Sequence, residues 1–281
     1  MNGYTTVWQL GPEEELGSLR DMDYLEPVIG GADMKVESFW RMFHVIQANS
    51  RVQFTADDID FILSVLQNKP GSAENLVRLL SDEETRDLIL DDEALLRAVL
   101  EQRNCLRISA RFYFYILVRH AFRRTGLQER CLADYVASIL AEFSSTDRLT
   151  CKVKGQPQSM DYFFEMLAAL QTVDDTTSFF IRAHIGNHSL FLSGVFPDRI
   201  RFRAETRGCP SLSYYEGLGR SNFKVASDHR LARKYDLDGI FNLLAERFQE
   251  TRLALNDLRD RLLSLGEPDF SFENQVKGNP A

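Results

Sequence analysis

Residues 103–124 read RNCLRISARFYFYILVRHAFRR, and the fold turns on whether the apolar run Phe112–Val118 at their centre is a strand or a helix. Composition alone permits a buried strand, because aromatic and β-branched residues suit one. The flanks decide. Arg103, Arg107 and Arg111 recur every four residues, and Arg119 and Arg123 do the same. That repeat is helical pitch carried over a length no ordinary strand reaches. A helix that is apolar all round in its middle must be enclosed by neighbours.

The same period extends outward. Val36, Phe39, Trp40, Phe43 and Ile46 share one face, as do Ile59, Ile62, Leu63 and Leu66 after Thr55, a fitting N-cap; Pro70-Gly71 ends that second helix. Ser81-Asp82-Glu83-Glu84 fits a capping box with Ser81 as N-cap, followed by short helices over Glu83–Leu90 and Glu93–Gln102. Helices are also expected over Glu129–Phe143, Met160–Leu170 and Thr177–Phe196. Between them, residues 144–159 break the pattern, and Thr150–Lys154 alternates enough to form a short strand or hairpin arm near 150–155. The expected class is all-α: a compact multi-helix bundle of ten or so helices. Its expected organisation is an irregular arm over 1–31, with Trp8 and Tyr24 as anchors, helical halves over 32–146 and 158–266 packed as one domain, and a loose tail over 267–281.

The most regular pattern lies in a long C-terminal helix predicted over 236–265. Leu237, Phe241, Leu244, Phe248, Thr251, Leu255, Leu258, Leu262 and Leu265 step by four and three, a 3.5-residue seam with Thr251 its one polar member. Such a seam suits self-association or a docked partner. Phenylalanine at two seam positions is bulky for a two-stranded coil and favours packing on the chain's own body.

The 281 residues carry 33 basic and 41 acidic side chains, a net charge of −8, with 44% hydrophobic and 26% charged. These are ordinary values for a globular chain and exclude collagen-like, disordered and disulfide-scaffold classes. Residues 1–10 hold no basic side chain and no leader-like apolar run, and Phe112–Val118 falls far short of the ~20 residues of a membrane span. Cys105, Cys131, Cys151 and Cys209 are scattered without a C-x-x-C pair. A cytoplasmic protein with reduced thiols and no membrane partner is expected.

No P-loop, dinucleotide fingerprint, H-E-x-x-H, G-x-S-x-G or E-x-x-H occurs, so no cofactor is expected. The function expected on this ground is a noncatalytic protein-interaction or regulatory module. Two chemical alternatives come from side-chain patterns. His184 and His188, four apart on a helix, can hold a transition metal or a small ligand, with His44, His120 or His229 as a third ligand from elsewhere in the fold. A core role suits them as well, since Ile181, Phe191 and Val195 share their face. The other side of that helix (Ala183, Gly186, Ser189, Ser193, Gly194) is small enough for close packing inside the molecule.

The second alternative is residues 197–235, with nine basic against four acidic side chains, net +5. Arg201, Arg203, Arg207, Tyr214, Tyr215 and Arg220 are its ligand-binding candidates, since cations beside aromatic planes suit nucleotides or RNA. Tyr214–Ser221 holds two glycines that can shape an anion nest, although a helix end with Ser221 capping the next helix is the commoner use. Residues 103–130 add seven arginines against Glu129 alone. Residues 1–100 hold eight basic and nineteen acidic side chains, so an acidic first part docked on basic helices would neutralise both clusters internally. A chain at −8 overall lacks the field of a nonspecific phosphate binder, which places nucleic acid behind an acidic protein or a small anion.

Overall fold

A computed structural model of the chain describes residues 45–66, 73–101, 108–144, 151–152, 159–160 and 163–266. The expected arm over 1–31, the helix begun at Val36, His44, Arg103, Cys105, Arg107 and the tail over 267–281 lie outside the described residues. Val45 and Ile46, where that first helix was expected to reach, are not helical.

The protein is an all-α multi-helix bundle. After a 3-10 turn at Ser50–Gln53 come α1 (Ala56–Leu66), α2 (Ala73–Ser81), α3 (Glu83–Leu90), α4 (Glu93–Glu101), α5 (Ala110–Thr125) and α6 (Arg130–Phe143). A two-stranded hairpin, β1 (Cys151–Lys152) with β2 (Ser159–Met160), pairs Cys151 with Met160 and Lys152 with Ser159. Then follow α7 (Phe163–Ala169), α8 (Asp175–Val195), α9 (Pro197–Arg207), α10 (Leu212–Asp228), α11 (Arg230–Lys234), α12 (Asp238–Glu246) and α13 (Phe248–Gly266). Met160, expected to open a helix, instead closes the hairpin. No helix among the described residues is long and apolar enough to cross a membrane.

The decisive stretch is helical. Ser109 caps α5 by accepting from the Phe112 backbone N–H at 3.1 Å, and Gly126, in the left-handed region at φ 84°, ends it. Phe112 and Phe114–Phe122 are buried, so α5 is an enclosed helix. Thr55 and Asp58 cap α1 reciprocally: the Thr55 N–H donates to Asp58 Oδ2 at 2.7 Å and the Asp58 N–H to Thr55 Oγ1 at 3.3 Å. The buried Asp58 carboxylate also accepts from the Ser109 N–H and hydroxyl, both at 2.7 Å, so one side chain ties the starts of α1 and α5 together. At the second expected box the register differs by one residue. Asp82 caps α3, accepting from Thr85 N–H at 2.9 Å, while Ser81 is still the last residue of α2 and donates back to Val77 O. A carboxylate outcompetes a hydroxyl for the positive end of the helix.

The long C-terminal helix is broken at Arg247, whose φ of −108° and ψ of 29° leave the helical region. The break lets the two parts face different neighbours: α12 packs on α6 and α10, and α13 on α5 and α8. Leu237, Phe241, Leu244, Phe248, Thr251, Leu255 and Leu258 are all buried. From Leu237 to Leu258 the seam packs on the chain's own body.

Helix α8 lies between α10 and α13, and its small face is what admits them. A Cβ on Gly186 would stand 2.8 Å from the Phe223 ring, and one on Gly194 would stand 2.7 Å from Leu255 Cδ1. Gly219 of α10 repeats the device against the Phe248 ring, whereas Gly217 on the same helix faces open space. Adding a methyl at Gly219 therefore overpacks the core, and the same methyl at Gly217 only removes backbone freedom. In urea titrations, Gly219→Ala is expected to lower stability by about 1–3 kcal/mol and Gly217→Ala to raise it by about 0.5–1 kcal/mol.

Candidate functional site

The two arginine clusters meet different fates. The described members of the first, Arg111 to Arg130, are neutralised within the fold. Arg119, 3% exposed in the middle of α5, donates through Nε to Asp91 Oδ1 at 2.8 Å and through Nη2 to Oδ2 at 3.1 Å. Arg130 adds a 2.8 Å bond to Asp91 Oδ2 and a 2.7 Å bond to the Asp87 carbonyl, and Arg123 binds the Asp91 carbonyl at 2.7 Å. Arg51 holds both Asp87 oxygens at 2.7 and 2.8 Å. Arg111 pairs with Glu142, and Arg124 with Asp257. The end of α3 thus supplies the acids on which α5 and α6 are docked.

Burial by itself would raise the Asp91 carboxyl; the Arg119 hydrogen bonds and the charges of Arg119, Arg130 and Arg123 more than offset this and hold it below the usual range. Inside the same ring, burial pushes the Tyr115 hydroxyl up to about 12, and this hydroxyl has no hydrogen-bond partner. Burial likewise raises the Asp134 carboxyl, against the opposing charge and hydrogen bonds of Arg51. Asp91→Asn leaves Arg119 facing a neutral amide inside the protein, and a loss of about 3 kcal/mol is expected in urea unfolding at pH 7. Because the native carboxyl titrates below its unfolded value of about 3.9, the contribution is complete above that pH. It disappears as pH falls through the native value, so parent and variant converge in acid.

The imidazoles of His184 and His188 lie with ring centroids 5.8 Å apart. His188 is 7% exposed, stacked on Phe163 at 5.0 Å and beside Phe143 at 5.8 Å, with Nδ1 buried and without a partner. Burial, reinforced by His184, lowers its pKa to about 3, so the ring is neutral at physiological pH. Of the third ligands expected from the sequence, the two among the described residues, His120 and His229, have other neighbours. His120 lies 3.5 Å from Glu93, and burial lowers its pKa. His229 is stacked on Phe179, with Nε2 2.8 Å from Asp175 and Nδ1 accepting from Leu231 N–H. Among the described residues no group of three His, Cys, Asp or Glu side chains could hold a metal ion. The unfolded chain takes up a proton near pH 6.5 that native His188 refuses, so His188 lowers stability as pH falls from there toward 3. His188→Phe is expected to gain on the parent by up to about 1.4 kcal/mol per pH unit between pH 6 and 4, measured by chemical unfolding.

The second basic cluster forms a corner of α9 and α10. Gly208, left-handed at φ 64°, ends α9 and turns the chain into α10. Arg199, Arg203 and Arg207 are spaced four apart and form one stripe along α9. Beside them Phe202 is 59% exposed and Tyr214, at the start of α10, 42% exposed. Arg203 Nε is buried without an acceptor. Burial raises the Tyr215 hydroxyl against the opposing charge of Arg203, and the ring packs edge-on to Phe163 at 5.6 Å and to Tyr214 at 5.7 Å. Phe163 therefore joins two sets of residues that the sequence left separate: His188 on one side, and Tyr215 with Arg203 on the other.

Other candidates are held away from the corner or paired locally. Arg201 forms an exposed 2.9 Å pair with Asp198, and Arg220 Nε donates to the Ala245 carbonyl at 3.1 Å. Tyr214–Ser221 is neither an anion nest nor a helix end. It is the interior of α10, and Ser221 donates to the Leu218 carbonyl. Of its two glycines, Gly219 serves packing and Gly217 faces open space. Only the clash at Gly219 forbids a side chain there, and the partner Phe248 is about thirty residues downstream.

Among the described residues, none of the ion pairs that Asp87 and Asp91 make to the first cluster has a counterpart from residues 45–100 to Arg203 or Arg207. Arg201 pairs with Asp198 and Lys224 with Asp228, while Arg207 and Arg233 are exposed with no partner among the described residues. Phe163 and Phe202 were missed in the sequence. A helical wheel of 197–207 would have shown the arginine stripe with Phe202 beside it. Nothing in the sequence marks Phe163. No family model, curated protein or solved structure matches this chain.

Proposed function

We propose that this chain is a noncatalytic protein-interaction module that binds an acidic partner through the α9–α10 corner. The observation that carries the reading is the contrast between the two arginine clusters. Arg119, Arg123 and Arg130 are neutralised by Asp87 and Asp91, whereas Arg203 and Arg207, on the helix of exposed Phe202, have no acid partner among the described residues. Arginine forks match carboxylates bidentately, and exposed aromatics with arginine are the side chains that dominate interface energetics. The net charge of −8 weighs most against a nucleic acid, whose dense backbone charge is repelled at long range, and less against a short acidic segment read at close range. A cytoplasmic setting suits the reduced Cys131 and Cys209.

Fluorescence anisotropy with a short labelled Glu/Leu peptide tests this. Binding is expected to weaken as salt is raised, and Arg203→Glu and Arg207→Glu are each expected to weaken it about tenfold, near 1.4 kcal/mol. Equal affinity in both variants, or preference for a single-stranded oligonucleotide over the peptide, would overturn the reading.

A further inference from the structure

Residues 12–26 read PEEELGSLRDMDYLE. Six acids (Glu13, Glu14, Glu15, Asp21, Asp23, Glu26) stand against Arg20, net −5, with Leu16, Leu19, Met22, Tyr24 and Leu25 between them. The stretch lies outside the described residues. We propose that it is a ligand of the α9–α10 corner, so that the chain carries its own competitor for the surface a partner would use. The inference rests on the reading of that corner as an interaction surface and adds how the surface is regulated.

Three observations support it. The charge is complementary in sign: net −5 over residues 12–26 against α9, where Arg199, Arg201, Arg203 and Arg207 stand against Asp198 and Glu205. The composition is complementary as well, since carboxylates interleaved with large apolar side chains match guanidinium groups flanked by exposed Phe202 and Tyr214. The acids Asp58, Asp87 and Asp91 of residues 1–100 are already engaged at Ser109, Arg51, Arg119 and Arg130 and cannot serve the corner.

Reach is no obstacle. The eighteen residues 27–44 between the stretch and Val45 span up to about 60 Å when extended and about 45 Å with the helix expected from Val36 formed, which matches the roughly 45 Å breadth of a body this size. Tethering then does the rest. A linked ligand presents itself at an effective concentration on the order of millimolar, so even millimolar intrinsic affinity fills the corner about half of the time.

The test uses the full-length chain and a full-length variant carrying Glu13→Gln, Glu14→Gln, Glu15→Gln, Asp21→Asn and Asp23→Asn. The probe is a labelled peptide of residues 12–26 added in trans. The neutralised variant is expected to bind the peptide severalfold more tightly than the parent, and Arg207→Glu added to that variant is expected to weaken binding about tenfold. Arg207 is exposed and without a partner among the described residues, so this change leaves the fold intact, which an unchanged thermal melt confirms. Equal affinity of parent and neutralised variant overturns the proposal. If the unrelated Glu/Leu peptide still binds both and is lost with Arg207→Glu, the interaction surface stands and only its regulation falls. Failure of both peptides to bind overturns both. A dimer by light scattering that the five substitutions abolish would also overturn the proposal, by placing the stretch on a second copy.

Discussion

Helix α8 can run through the interior only because its neighbours reach its backbone. The Phe223 ring lies against Gly186 and the Leu255 side chain against Gly194, while Gly219 makes room on α10 for Phe248. Each contact replaces a side chain with one from another helix, so dispersion is gained at a separation that two ordinary side chains would prevent. Asn256 reinforces the same approach from α13, donating to the carbonyls of Ser193 at 3.0 Å and Gly194 at 2.6 Å near the end of α8. The positions of α10 and α13 follow from these contacts, and with them the corner where α9 turns back.

Charge is sorted by the same geometry. Burying a guanidinium in the centre of a helix is tolerable only where a carboxylate and a carbonyl are already in place. Arg119 has both, in Asp91 and the Gln128 carbonyl. Arg203 and Arg207 of α9 have no acid partner among the described residues. Their charge is therefore available, and exposed Phe202 and Tyr214 add apolar contact beside it. The aromatic contacts from Tyr215 through Phe163 to His188 anchor that surface in the core.

Much of this was legible in the residues themselves. The four-residue arginine repeat around Phe112–Val118 settled a helix over a strand, and the small face on Ala183–Gly194 announced a helix with close neighbours on that side. The step of four and three from Leu237 to Leu258 identified the side chains that are buried, though not the break at Arg247. A repeat records which face is apolar, and it is the same whether the helix runs straight or turns to follow a curved body. The capping register at Ser81 and Asp82 was misplaced by one residue for a related reason. Both side chains can cap, and the choice depends on where the preceding helix stops.

The sequence by itself determined the helical class, the enclosed character of the Phe112–Val118 and Phe179–Phe196 helices, and the existence of two basic clusters, because periodicity and composition are local properties of the chain. Only the tertiary structure decided which cluster is neutralised, since Asp87 and Asp91 reach Arg119 and Arg130 from about thirty or forty residues away. It also decided that Gly217 and Gly219 serve α10 as helix interior, and that Phe163 joins His188 to Tyr215. Ion pairs and ring contacts of that kind form between elements distant in sequence, and no spacing along one helix encodes them.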